Sequence, residues 1–164
     1  MNVPGTSGAA AVTEAVTAGA CRMMRDMGYS PLREFKLSSG RRADIGGLNR
    51  RGRIAIVEVK ASVADLRGDA KWRDYLAHCD CFYFAVAEDF PSHILDEACF
   101  LPERTGLIIA DRFGGVVRRL GREEPMNAAR RKVETLRFAR RAADRLHHLS
   151  ETESAPGPLF LTLR

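Results

Sequence analysis

The chain has 164 residues, which suits a single domain, with 45% hydrophobic and 29% charged residues and a formal net charge of +5. No apolar run approaches the length that crosses a bilayer, and residues 1–11 lack the basic start of a secretion signal, so we expect a cytoplasmic protein. The mild basic bias is compatible with a phosphate-bearing partner. Most of the excess lies in 112–145, where arginine dominates.

Periodicity and turn residues predict a flexible N-terminus (1–8), one folded domain (9–149) and a polar C-terminal tail (150–164). The first helix is predicted over 9–27, with Gly28 as its stop. The predicted strands are 34–37, 41–48, 53–60, 81–86, 106–110 and 116–120, and the further helices are 65–78, 92–99 and 126–149. This order predicts an α/β domain with a mixed central β-sheet flanked by helices.

Three charged residues stand at the end of the hairpin formed by the second and third predicted strands. The third strand is β-branched and apolar on both faces until Glu58 and Lys60, which is typical of a covered central strand. Because side chains alternate along a strand, Glu58 and Lys60 share one face, while Val57 and Val59 anchor the other. Asp44 lies on the neighbouring strand, so we expect the three charged groups to meet at one end of the sheet.

Such a constellation suits phosphodiester hydrolysis with Mg²⁺ or Mn²⁺. Asp44 and Glu58 supply oxygen ligands, and the Val59 carbonyl, water and a substrate phosphate complete the set. Lys60 orients the attacking water or stabilises charge in the transition state. The alternative is that Glu58 and Lys60 form only a solvent-facing ion pair at a strand end.

The spacing Asp-(x)13-Glu-x-Lys resembles the PD-(D/E)XK nuclease superfamily, although Ala43 stands where that superfamily has proline. Over about residues 9–149 the chain resembles more narrowly the MmcB family of bacterial DNA-repair proteins, through segments 42–45, 57–60, 69–72, 79–86 and 106–111 and Tyr75. The resemblance implies a restriction-endonuclease-like core. It also implies that Asp44, Glu58 and Lys60 are the metal and catalytic positions, with Glu14 of the first helix as a further acid.

Several residues are candidates for contacts with DNA. Lys71 and Tyr75 are four apart on a predicted helix, so they would share a face and contact phosphate, unless Lys71 is a surface residue above a core tyrosine. Trp72 is predicted to lie in the core rather than to stack on a base. The arginine-rich last helix either follows a DNA backbone or is a solvated face. The candidates for DNA contacts are Arg130 and Arg131 on this helix and Arg42 in the hairpin.

The cysteines and histidines are not expected to hold a metal. Cys79 and Cys81 flank Asp80 beside His78, but without zinc spacing they are read as small buried residues. His147 and its neighbour are ordinary helix-end residues.

The main hypothesis is therefore a Mg²⁺- or Mn²⁺-dependent deoxyribonuclease acting in the DNA damage response. The second is a non-cleaving, DNA-structure-binding accessory factor in repair or translesion synthesis, and a weaker third is an RNA- or nucleotide-directed hydrolase. The expected partners are DNA and repair or translesion polymerase machinery, with nucleoid association and a possible homodimer but no membrane.

Overall fold

A computed structural model describes the backbone of residues 5–154 and the side chains of residues 8–153. Three α-helices, six strands and three short 3₁₀ helices make up this part of the chain. In chain order they are α1 (Gly5–Asp26), β1 (Tyr29–Lys36), β2 (Arg42–Asn49), β3 (Ile54–Val59), α2 (Val63–Gly68), the 3₁₀ helix Lys71–His78, β4 (Cys81–Val86), the 3₁₀ helices Ser92–Asp96 and Ala98–Phe100, β5 (Gly106–Ala110), β6 (Gly115–Arg119) and α3 (Ala128–Ser154). None of the helices within 5–154 has the length and apolarity needed to cross a membrane.

The six strands form one mixed sheet in the order β1-β2-β3-β4-β5-β6. The β3–β4 and β4–β5 pairs are parallel, and the other three pairs are antiparallel. Every residue of β3 and β4 is buried. One face of the sheet packs on α1, and the other packs on α3 and the 3₁₀ helices. The predicted mixed sheet flanked by helices is confirmed, and β4 and β5 have the predicted bounds.

Both long helices extend beyond their predicted bounds. Helix α1 begins at Gly5, so residues 5–8 are helical, whereas residues 1–4 of the predicted flexible N-terminus lie outside the described part. Helix α3 begins two residues later than predicted, because the side chain of Asn127 accepts the first free N–H groups. It then continues to Ser154, since no breaker precedes Pro156. The rest of the predicted tail is not described.

The predicted helix over 65–78 is wrong, because the chain forms α2 and then a separate 3₁₀ helix. Ser62 caps α2 by accepting the N–H of Asp65 at 3.1 Å. In the 3₁₀ segment, Trp72, Tyr75 and His78 are buried at intervals of three residues. A 3₁₀ helix aligns side chains at this interval. Trp72 and Tyr75 therefore pack on Phe82 of β4, while His78 contacts Glu134 of α3. The predicted helix over 92–99 is similarly replaced by two 3₁₀ turns.

Strand β1 is longer than predicted and changes the direction of its side chains. It includes Pro31, which an edge strand tolerates. Further along, Glu34 has a left-handed φ of 51°. Before this residue, Arg33 contacts α1 on one face of the sheet. After it, Phe35 packs on Phe138 of α3 on the other face, with ring centroids 5.5 Å apart.

Helix α3 is anchored by the fully buried carboxylate of Asp80, the residue between the two cysteines. Asp80 accepts the backbone N–H groups of Ile54 at 2.8 Å and Met126 at 2.9 Å. It also pairs with Arg131 of α3, at 2.6 Å between Nη1 and Oδ2. Burial alone would raise the pKa of Asp80, but the hydrogen bonds from Arg131 and the two backbone groups hold it below its usual range.

Asp80→Asn is expected to lower the free energy of unfolding by about 2 kcal/mol at pH 7, because it removes the buried negative charge that pairs with Arg131. The folded-state pKa of Asp80 is depressed, so the carboxylate stabilises the fold above its unfolded pKa of about 4. This contribution is lost as the pH falls through the folded-state pKa. Urea unfolding at a series of pH values measures the difference, which should shrink below about pH 4.

The control for this prediction is Asp74→Asn. Asp74 pairs with Arg41 at 2.6 Å, but both side chains are substantially exposed. Exposed pairs contribute at most about 1 kcal/mol. Equal losses of stability in the two variants would contradict the anchoring role of Asp80.

Candidate active site

The functional candidates lie where β2 and β3 separate. The last paired residues of the two strands are Ile45 and Val57. Beyond this pair, the Val59 N–H donates to Oδ2 of Asp44 at 2.8 Å, and the Asp44 N–H donates to Oε1 of Glu58 at 3.1 Å. Each carboxylate therefore binds the backbone of the opposite strand. The expectation that the two acids meet at one end of the sheet is confirmed.

Lys60 completes this cluster and is itself held by a fourth side chain. Its Nζ lies 3.9 Å from Oε2 of Glu58 and 2.6 Å from Oδ2 of Asp69, which follows α2. Glu58 and Lys60 are 5% and 4% exposed, so the solvent-facing ion pair considered as an alternative is wrong. The predicted side-chain directions are confirmed, because Val57 and Val59 pack on the α1 side.

Burial and mutual repulsion dominate the electrostatics of the two acids. Burial, followed by the charge of Asp44, raises the pKa of Glu58 to about 8. Burial also raises the pKa of Asp44, although the Val59 N–H opposes this. Burial disfavours the charge of Lys60, but the hydrogen bond to Asp69 and the nearby Glu58 raise its pKa overall. The site therefore holds the charged Lys60 ammonium beside Glu58, which loses its proton only at a raised pH.

The donor set fits a hard divalent cation. Asp44 and Glu58 offer carboxylate oxygens, and the Val59 carbonyl lies on the same side of β3 as the N–H that Asp44 binds. No cluster of three or more His, Cys, Asp or Glu side chains with metal-binding geometry occurs among the described residues. A cation here would take its remaining ligands from backbone, water and phosphate, as Mg²⁺ commonly does. It would also offset the repulsion between the two acids.

Comparisons with known proteins identify the family of the chain. The profile of the family described as "DNA repair protein MmcB-like" matches residues 2–153. The chain belongs to the MmcB-like family. The SPO1766 protein of unknown function from Silicibacter pomeroyi is 36% identical, with a TM-score of 0.78 over 91% of this chain and 97% of that chain. None of the curated proteins matches the chain. The membership of the PD-(D/E)XK superfamily stays a prediction.

In this MmcB-like chain, Lys71 and Tyr75 do not share a face as predicted. The 3₁₀ geometry leaves Lys71 exposed and buries Tyr75. The Tyr75 hydroxyl donates to the Arg42 carbonyl at 2.9 Å, and its pKa is raised by burial and then by the charges of Glu58 and Asp44. Tyr75 thus holds the backbone of β2 two residues before Asp44. Trp72 is 1% exposed, so its predicted place in the core is confirmed.

Glu14 lies on α1, and its Oε1 is 2.7 Å from Nη1 of Arg33. Both side chains are exposed, and α1 packs on the face of the sheet opposite to Glu58. Within the described contacts, the structure brings Glu14 to Arg33 rather than to the paired acids. Its role as a further metal ligand stays a prediction.

The predicted DNA-binding arginines differ in their contacts with the rest of the protein. Arg131 is engaged by Asp80 and by the Gly52 carbonyl at 2.8 Å. Arg130 donates to the Ala77 carbonyl at 2.9 Å. Arg42 is exposed, with its guanidinium 3.5 Å from Glu34. All three assignments stay predictions, but only Arg42 lies near Asp44 in the chain.

Asp69 and Asp65 are the residues that sequence reasoning did not assign to the site. Asp69 holds the Lys60 ammonium, and the charge of Asp65 acts on both Asp44 and Lys60. The available signal was the buried lysine, because an ammonium at the end of a covered strand requires an acidic partner. The partner comes from a turn after α2, which alternation along the strands does not predict.

Glu58→Gln is expected to raise the free energy of unfolding by about 1 kcal/mol in EDTA at pH 7. Burial and Asp44 raise the pKa of Glu58 to about 8, so the side chain must take up a proton on folding at pH 7, which lowers the stability. The amide needs no proton and keeps an acceptor for the Asp44 N–H. Urea unfolding gives the value, with the exposed Glu103→Gln as a matched control that should change nothing. A less stable Glu58→Gln variant would show that the carboxylate stabilises the apoprotein, contrary to this account.

Proposed function

We propose that the chain is a Mg²⁺- or Mn²⁺-dependent deoxyribonuclease of the PD-(D/E)XK type that hydrolyses DNA phosphodiester bonds during repair. The observation that carries the proposal is the Asp44–Glu58 pair, locked across two strands beside a buried, charged Lys60. The context of repair comes from the printed name of the family, DNA repair protein MmcB-like.

The two carboxylates would hold the cation, and their backbone hydrogen bonds fix them before any ligand arrives. A bound Mg²⁺ or Mn²⁺ polarises the phosphoryl oxygen and lowers the pKa of bound water. Only one oxygen of each carboxylate is needed for the hydrogen bonds from Val59 and Asp44, so the other is available as a ligand. Such preorganisation avoids rearrangement during the reaction.

Lys60 would act as a fixed positive charge rather than as a base. Asp69 holds the ammonium at 2.6 Å and stabilises its protonated form. The ammonium would stabilise negative charge on the phosphoryl group in the transition state and help to orient the attacking water. In this proposal, Asp69 is a positioning residue that keeps Lys60 charged and in place.

Purified protein with Mn²⁺ is expected to nick or trim DNA, and Asp44→Asn or Lys60→Met should lower the rate at least about 100-fold. Gel assays with flap, junction, single-stranded and damaged substrates measure cleavage, and circular dichroism verifies folding. Arg25→Gln on the exposed side of α1 is the control and should cleave like wild type. Folded wild-type protein that binds these substrates without cutting any would contradict the nuclease proposal.

Mn²⁺ at about 100 times its Kd is expected to raise the Tm of the wild type by about 5 °C, because it binds only the folded site. Asp44→Asn should abolish the shift by removing one ligand and leaving Glu58 alone. Asp74→Asn removes the same charge from an exposed pair and should keep the shift. Equal shifts in both variants would place the Mn²⁺ elsewhere.

The second candidate function is a non-cleaving DNA-binding factor in repair or translesion synthesis. The close pairing of Lys60 with Asp69 favours it, because an ammonium engaged by a carboxylate also serves as a structural ion pair. In that case, repair or translesion polymerase machinery would be the partner, at the nucleoid. DNA is the proposed partner in both cases, and a homodimer stays a prediction.

A further inference from the structure

A basic groove runs between α3 and the ends of β1 and β2. Its volume is about 450 Å³. Its lining consists of five cationic and two acidic side chains, namely Lys36, Arg42, Arg137, Arg140, Arg141, Glu34 and Asp144. We call this surface the α3 groove. It excludes Arg130 and Arg131, which the fold engages elsewhere.

The arginines that α3 contributes to the groove lack an ion-pair partner within the described part of the chain. Among the described residues, Arg137, Arg140 and Arg141 form no ion pair within 4 Å. The undescribed side chains of 1–7 and 154–164 include no Asp or Glu. Burial, and then the charge of Arg141, lowers the pKa of the adjacent Arg145. These cations therefore repel one another, and a bound anion would relieve the repulsion.

The arrangement is a row rather than a single pocket. Arg137, Arg141 and Arg145 follow at intervals of four residues, which is about 6 Å along a helix axis. The row thus extends about 12 Å along α3. Such a row suits several successive phosphates of one strand better than a single small anion, and the planar guanidinium fork matches phosphate oxygens.

One end of the groove lies near Asp44. Arg42 lines it and precedes Asp44 by two residues on β2, and the charge of Arg42 acts on Asp44. At this end Arg42 pairs with Glu34, the residue of β1 that has a left-handed φ. A nucleic-acid strand bound along α3 would therefore reach Asp44 by passing Arg42, where the charge of Glu34 weakens the positive potential.

We propose that the α3 groove binds the phosphodiester backbone of a nucleic-acid strand and guides it towards Asp44 and Glu58. The destination of the strand rests on the proposed function, whereas binding in the groove does not. In this proposal Arg137, Arg141 and Arg42 bind the phosphates, and the negative charge of Glu34 weakens the binding.

The test compares two double variants that remove the same charge. Arg137→Gln/Arg141→Gln alters the groove, and Arg22→Gln/Arg25→Gln alters exposed positions on α1, across the sheet. Fluorescence anisotropy with labelled single-stranded DNA, duplex DNA and RNA is measured in EDTA over a range of salt concentrations, so that binding is separated from cleavage. The groove variant should bind about 10-fold more weakly and lose about 1.5 from its log–log salt slope, whereas the α1 variant should match wild type.

Glu34→Gln provides a change in the opposite direction. Removing this acid frees Arg42, so the affinity should increase about two- to threefold. Equal weakening by both double variants, an unchanged groove variant, or no binding of any oligonucleotide by wild type would each overturn the proposal. A preference for DNA or for RNA would identify the class of strand that the groove binds, and equal affinities would show that the groove does not distinguish the two sugars.

The two proposals fail separately. If the wild type cleaves DNA but the groove variant binds as tightly as the wild type, the groove proposal is overturned and the nuclease proposal stands. Groove-dependent binding with no cleavage under Mn²⁺ would keep the groove and favour the accessory function.

Discussion

Where β2 separates from β3, two backbone N–H groups lose their partners on the neighbouring strand, and two carboxylates replace them. This exchange is the constraint on which the site depends. Buried N–H groups require acceptors, so Asp44 and Glu58 satisfy the backbone, and this holds the two acidic side chains close together. The same hydrogen bonds that close the end of the hairpin therefore set the geometry of the acids.

The cost of this arrangement is visible in the electrostatics. Glu58 is buried beside another acid, and its pKa of about 8 reflects a charge that the apoprotein tolerates poorly. Lys60 does not neutralise it fully, because Asp69 holds the ammonium more closely. Strain of this kind is common at functional sites, where a ligand supplies what the fold lacks.

Helix α3 depends on two further buried polar contacts. Asp80 binds Arg131, and the fully buried Glu134 accepts from Ser38 and contacts His78 at 2.8 Å. These contacts orient α3 so that Glu134 faces the protein while the unpaired arginines border the groove. The arginine-rich sequence of α3 thus has two parts with different roles. The N-terminal part anchors the helix, and the following turns carry the exposed positive charge.

The sequence by itself determined the sheet, the two central strands and the meeting of Asp44, Glu58 and Lys60. Strand alternation and apolar runs are local signals, and they are strong where β3 and β4 are covered on both sides. It also indicated the family through short segments around these residues. Only the tertiary structure decided that Asp69 holds Lys60, that Tyr75 donates to the Arg42 carbonyl and that Arg131 pairs with Asp80. These outcomes depend on contacts between residues distant in the chain, and on 3₁₀ turns whose three-residue period a helical pattern does not distinguish.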